Sequence, residues 1–116
     1  MFLFSGCRSN TELSMERGEY FYNVERLEEA TLEYNKVISH YANDTNLNSK
    51  NKKILANAHH NLAVIWFKRG HKSEDPIEKS SYLGIATIEA KKSYYLHPKD
   101  VYKQTWDKIQ KALKES

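Results

Sequence analysis

At 116 residues the chain has the length of one domain, and its four glycines and two prolines are too few for a fold of many short strands and turns. Hydrophobic residues make up 40% of the sequence, and no apolar run reaches the length of a membrane-spanning helix. The net charge of +3 is too small and too dispersed to indicate a nucleic-acid partner, and a single cysteine excludes an internal disulfide or a cysteine-based zinc site.

Apolar residues recur at helical spacing through the first half of the chain. Between residues 18 and 43 they follow each other at three- and four-residue steps, which is the pattern of one face of a helix. Asn23 is a candidate N-cap for a second helix, because Glu28 and Glu29 would then lie near its positive end. The Asn- and Lys-rich segment 43–53 predicts a loop.

The second half carries three further helical patterns. The most apolar of them ends at Gly70, a candidate helix terminator. Asp75 and Pro76 form a start signal for the next helix, and Pro98 stops it. Segment 101–116 predicts a last amphipathic helix. The prediction is therefore an all-α fold of five helices, with neighbours antiparallel because their connections are short.

Small and aromatic residues are arranged similarly in two helix pairs. The first copy has Gly18, Phe21, Ala30, Tyr34 and Val37, and the second has Leu62, Ala63, Trp66, Gly70, Ala86, Ala90, Ser93 and Pro98. A small side chain on one helix admits the bulky side chain of its neighbour, so the two helices can approach closely. In this pattern the chain resembles the tetratricopeptide repeat family over about residues 11–100.

This resemblance implies antiparallel helix pairs of tetratricopeptide type, about two repeats, followed by a C-terminal capping helix, in a single domain of residues 11–116. The chain departs from the family at Ser14 and Arg17, and by an insertion between Gly70 and Ala86. Within the superfamily, it is most similar to BamD-like lipoproteins of the outer-membrane β-barrel assembly machinery. An unrelated helical bundle is the alternative.

The first ten residues resemble the end of a lipoprotein signal. Residues 3–6 (Leu-Phe-Ser-Gly) precede Cys7, the residue that such a signal lipidates. The resemblance implies that residues 1–10 are a signal remnant and tether, and that a lipid on Cys7 holds the protein in the bacterial envelope, facing the periplasm. The charged and apolar parts of a full signal are missing upstream. An ordinary start at Met1, and hence a cytoplasmic location, is the alternative.

Repeat proteins of this family bind partners in a groove lined by the first helix of each pair. By register, the resemblance places eleven residues there: Met15, Glu19, Tyr22, Asn23, Asn57, His60, Val64, Phe67, Lys68, Tyr102 and Trp106. The family's clamp for peptide C-termini is absent, because its Lys, Asn and Arg positions carry other residues. A mixed aromatic and polar groove suits an extended peptide or a partner helix. Simple packing is the alternative for its aromatic members.

No set of side chains indicates catalysis. His59 and His60 are adjacent in a helix and point about 100° apart, so they are poorly placed to share one metal ion. Glu28, Glu29 and Glu33 are expected on a solvated helix face. We therefore expect a non-enzymatic adaptor, without cofactor or metal, that scaffolds an envelope complex. The alternatives are a small-ligand or solute-binding accessory protein and a cytosolic chaperone-type adaptor.

Overall fold

The computed structural model describes residues 9–116, and over that range the chain forms five α-helices. They are α1 (Asn10–Asn23), α2 (Leu27–Tyr41), α3 (Ser49–Lys72), α4 (Pro76–Leu96) and α5 (Asp100–Glu115). Neighbouring helices pack antiparallel, so the predicted all-α fold is confirmed. Cys7 and the rest of the lipoprotein-like box lie outside the described residues.

The start of α1 is fixed by a capping box. The Ser9 hydroxyl accepts a hydrogen bond from the Glu12 N–H at 3.1 Å, and the Glu12 carboxylate accepts one from the Ser9 N–H at 3.2 Å. Thr11 is buried, and its hydroxyl lies 3.1 Å from that of Tyr41 at the end of α2. Ser9 and Asn10 therefore form the capped start of α1.

Side-chain caps also begin α3 and α4. The Asn48 side chain accepts a hydrogen bond from the Asn51 N–H at 2.8 Å, and the Asp75 carboxylate accepts one from the Ile77 N–H at 3.2 Å. Pro76 is the first residue of α4, a position where its missing N–H costs no helical hydrogen bond. The predicted start of this helix is confirmed.

The connection between α1 and α2 differs from the prediction. Asn23 is the last residue of α1, and α2 begins at Leu27 without a side-chain cap, so the prediction that Asn23 caps the second helix is wrong. The carbonyl of Phe21 instead accepts a hydrogen bond from the Arg26 N–H at 2.8 Å, which closes α1. Glu25 adopts a φ of 63°, and this left-handed conformation lets the chain reverse direction.

Two glycines lie where helices approach each other closely. A Cβ added at Gly18 would lie 2.5 Å from Cε1 of Tyr34, and one added at Gly70 would lie 2.9 Å from Cδ2 of Leu83. Because α3 continues past Gly70 to Lys72, the expected helix stop at Gly70 is wrong. The repeated small residues serve close helix packing, α1 on α2 and α3 on α4.

The core consists of two clusters that share Trp66 at their border. The first cluster joins α2 and α3 and contains Ala30, Tyr34, Val37, Tyr41, Ala58, Leu62 and Ile65. The second cluster joins α3, α4 and α5 and contains Ala63, Ala86, Ala90 and Ile109. The helices α1 and α2 form one pair, and α3 and α4 form the next. In addition, α3 contacts both α1 and α5, so the first helices of the two pairs are neighbours.

Two ionisable side chains are buried in contact with a partner. Glu33 is only 7% exposed and accepts a hydrogen bond from Lys36 at 2.9 Å, so its expected place on a solvated face is wrong. His59 is 6% exposed, and its Nδ1 lies 2.5 Å from the Glu89 carboxylate, which links α3 to α4. For each group, the partner offsets part of the cost of burial.

Candidate binding groove

A pocket of about 220 Å³ opens between α1 and α3, and we call it the groove pocket. Its lining comes from three helices and consists of Glu19, Tyr22, Asn23, Tyr34, Asn61 and Val64. The structure therefore brings together Glu19, Tyr22, Asn23 and Val64, four of the residues that the sequence assigns to a groove.

Helical spacing explains why α1 contributes three side chains to this pocket. Tyr22 and Asn23 follow Glu19 by three and four residues, so both lie beside it on one helix face. Gly18 and Phe21 lie on the adjoining face, which packs against α2 and the first core cluster. These core contacts fix the orientation of α1 about its own axis, so that Glu19, Tyr22 and Asn23 face α3.

Tyr34 lines the pocket from α2, although its side chain is almost completely buried. Burial raises the pKa of Tyr34 to about 12, while a hydrogen bond with Asn61 acts in the opposite direction. The hydroxyl is therefore protonated at neutral pH. Tyr34 belongs both to the pocket lining and to the first core cluster, so its side chain joins the two.

Lys68 marks one edge of the groove pocket. Its Nζ lies 2.9 Å from a Glu25 carboxylate oxygen and 5.0 Å from the centre of the Tyr22 ring. The hydrogen bond and positive charge of Lys68 hold the pKa of Glu25 below its ordinary value, and the same hydrogen bond raises the pKa of Lys68. This exposed pair positions the turn between α1 and α2 against α3; such pairs add little stability.

His60 and Tyr102 lie against each other where α3 meets α5, outside the groove pocket. Their ring centres are 4.7 Å apart, and Lys99 Nζ lies 5.3 Å from the centre of the Tyr102 ring. Burial lowers the pKa of His60, and the positive charge of Lys99 lowers it further. Among residues 9–116, no group hydrogen-bonds the buried His60 Nδ1. This shift favours the neutral form of His60, whose ring packs on Tyr102.

Phe67 and Trp106 also serve packing. Both contact the second core cluster, and the Trp106 ring centre lies 6.0 Å from that of Tyr94 and 5.9 Å from that of Tyr95. Phe67 in addition lines a separate recess among α3, α4 and α5. Neither aromatic residue lines the groove pocket.

Met15 and Asn57 complete the predicted set, and they too lie outside the groove pocket. Met15 is partly buried against the first core cluster, and Asn57 is exposed. The structure thus divides the eleven predicted residues into four that line the pocket, Lys68 at its edge, and others that pack elsewhere or face solvent.

The sequence did not lead us to assign Asn61 and Tyr34 to the groove, or Glu25 to its edge. Asn61 carried a signal, because it lies three residues before Val64 and seven before Lys68 and so shares their helix face. Tyr34 was assigned to the repeat pattern alone, and Glu25 lies in a turn where helical periodicity gives no information.

Two further findings concern the range 9–116. No group of three or more His, Cys, Asp or Glu side chains is placed there to hold a metal ion. None of its helices is both long and apolar enough to cross a membrane.

No family model, curated protein or solved structure matches this chain. What the protein binds is therefore inferred from the chemistry of its own surface.

Proposed function

We propose that this protein is a non-enzymatic adaptor of tetratricopeptide type that binds an extended segment of a partner protein in the groove pocket. The observation that supports this function is the meeting of two amides, Asn23 and Asn61, with the aromatic Tyr22 and the apolar Val64 between successive helix pairs. An amide side chain both donates and accepts hydrogen bonds, as the N–H and C=O groups of an extended backbone require.

The size of the pocket favours a peptide over a small solute. Sites for drug-sized ligands enclose about 300–1,000 Å³, whereas the groove pocket has about 220 Å³ and opens between two helices. A segment of chain that crosses the opening uses such a site without being enclosed, because only one or two of its side chains enter.

The test is selection from a peptide library, followed by mapping of the selected peptides on the protein by amide chemical shifts. We expect shifts at Tyr22, Asn23 and Asn61, and a loss of affinity of about tenfold or more for the double variant Tyr22→Ala, Asn61→Ala. The matched control is Leu32→Ala, since Leu32 is 63% exposed on the outer face of α2. Peptides that shift other surfaces, or that bind the double variant as tightly as the wild type, contradict the proposal.

We further propose that Cys7 carries a lipid and that the adaptor works in an envelope complex of the outer-membrane assembly type. The support is the resemblance of residues 3–7 to a lipoprotein box. Labelling of cells with a palmitate analogue tests it, with wild type compared with Cys7→Ala. Label on the wild type alone is the expected result. An unlabelled wild type contradicts the anchor and favours a cytosolic adaptor.

A further inference from the structure

A second recess, of about 450 Å³, lies where α3, α4 and α5 meet, and we call it the basic recess. Apolar surface is contributed by Phe67, Leu83 and Ala112. Ionisable side chains around it are Lys79, Lys108, Lys111, His71 and Glu115.

The apolar part of the basic recess lies below its charged part. Leu83 lines the recess although its exposed fraction is 0%, so it forms the base. Phe67 is partly buried and packs on the second core cluster. Lys108 and Lys111 are exposed side chains of α5. The recess therefore has a buried apolar base and an exposed cationic rim.

Within the part of the chain that the structure describes, the lysines of this rim have no ion-pair partner. Lys36, by contrast, lies 2.9 Å from a carboxylate oxygen. Lys79, Lys108 and Lys111 form no ion pair with any group in residues 9–116. Glu115 is the one carboxylate side chain that lines the recess. Three lysines against one glutamate side chain leave an excess of positive charge at the recess, and such an excess attracts ligands of negative charge.

We propose that the basic recess binds an acidic segment of a partner protein, whose carboxylates pair with Lys79, Lys108 and Lys111 while an apolar side chain of the same segment rests on Phe67 and Leu83. Apolar anchors that enter a pocket surrounded by polar contacts are the usual basis of affinity in such interfaces. The basic recess shares no lining residue with the groove pocket, so its binding does not depend on what that pocket binds.

The position of the apolar residues argues against a membrane as the ligand. A membrane-binding surface inserts protruding apolar side chains below the headgroups, but Leu83 is fully buried beneath the lysines. The ligand must therefore supply the protruding apolar group. Nucleic acid fits less well, because its affinity comes from many phosphate contacts along an extended basic surface, and this rim offers three lysines beside an apolar base.

The experiment measures fluorescence anisotropy of a labelled peptide in which one Leu-Phe pair is flanked on both sides by Glu and Asp. Two companion peptides isolate the contributions of charge and of the apolar pair: in one, Lys replaces every acidic residue, and in the other, Ser replaces Leu and Phe. We expect the first peptide to bind, the Lys peptide not to bind, and the Ser peptide to bind about tenfold more weakly or worse.

Charge reversal locates the binding on the protein. Lys108→Glu with Lys111→Glu is expected to weaken binding about tenfold or more. The matched control is Lys52→Glu with Lys53→Glu, an equal change of charge on exposed side chains of α3, roughly 20 Å along that helix from Phe67. The control is expected to change affinity by less than about twofold, through long-range charge alone.

Glu115→Gln gives a test that misfolding cannot imitate. Because it removes the one carboxylate side chain of the rim, we expect it to tighten binding by about two- to fivefold. Equal weakening by the two charge reversals, or equal affinity for the Leu-Phe and Ser peptides, overturns the proposal. Absence of peptide binding also overturns it. So does binding of anionic vesicles or single-stranded RNA, if the Lys108→Glu, Lys111→Glu variant loses more affinity for them than for the peptide.

Discussion

The close contact between Gly18 and the Tyr34 ring predicts that Gly18→Ala destabilises the protein. The added Cβ would lie 2.5, 2.7 and 2.9 Å from Cε1, Cζ and Cδ1 of Tyr34, all closer than van der Waals contact allows. Tyr34 is 1% exposed and its ring packs in the first core cluster, so a shift that relieves the clash would disturb that packing. Overpacking of this kind costs about 1–3 kcal/mol.

A second glycine supplies the matched control. Replacement of a helical glycine by alanine stabilises a helix by about 0.5–1 kcal/mol through chain entropy. Gly84 lies within α4, and a Cβ there meets nothing within 4 Å, so Gly84→Ala is expected to show this gain alone. Since Gly18→Ala receives the same gain, the difference between the two variants measures the steric cost, about 1–3 kcal/mol.

Urea unfolding followed by circular dichroism gives both free energies by linear extrapolation. Gly18→Ala is expected to unfold at lower urea than the wild type, and Gly84→Ala at higher urea. Tyr34→Leu, which removes the ring, should reduce the cost of Gly18→Ala in a double-mutant cycle. A Gly18→Ala protein as stable as Gly84→Ala refutes the reasoning, because it would mean that α1 and α2 separate freely at this contact.

Three further predictions concern ionisable groups and a helix cap. Because burial lowers the pKa of His60 from 6.5, the unfolded chain takes up a proton first as the pH falls below 6.5. The free energy of unfolding should therefore decrease between pH 7 and pH 5 more steeply in the wild type than in His60→Gln, as urea titrations at each pH will show; equal slopes contradict it. The pKa of Glu25, read from carboxyl chemical shifts, should lie below 4.5 and rise when Lys68→Met removes its hydrogen bond; an unchanged value contradicts the pairing. Asp75→Ala should cost about 1 kcal/mol of stability in urea unfolding, because it removes the cap of α4; an unchanged midpoint contradicts the role of the cap.

Local signals were sufficient to predict how α4 begins. Asp75 and Pro76 define the start of α4 through a side-chain cap and a fixed φ, both of which depend on neighbouring residues only. Ser9 and Glu12 likewise have the spacing of a capping box, so the sequence carried the signal for the start of α1 although that region was expected to be a tether.

The end of α1 could not be predicted in this way. Asn23 is a favourable N-cap by residue type, but the chain reverses through a left-handed Glu25. The side chain of that residue pairs with Lys68, which is far away in the sequence. A tertiary contact of this kind leaves no trace in local propensity, so residue type alone led to the wrong helix boundary.

The groove was predictable where helical register decides which way a side chain points, and unpredictable where packing decides it. Glu19, Tyr22 and Val64, which register assigned to the groove, line one pocket between α1 and α3. Trp106 has an equally suitable register in α5, yet its ring packs on Tyr94 and fills the space between α4 and α5. The rotation of α5 depends on such contacts, which no periodicity describes.

The helix α3 contributes to both proposed binding surfaces and fixes the distance between them. Val64 lines the groove pocket and Phe67 lines the basic recess, about one helical turn apart on a single continuous helix. The supports of the two surfaces differ, however, because the groove pocket rests on the first core cluster through Tyr34 and the basic recess rests on the second. Loosening the contact at Gly18 should therefore weaken peptide binding in the groove pocket and leave the affinity of the basic recess for an acidic peptide unchanged.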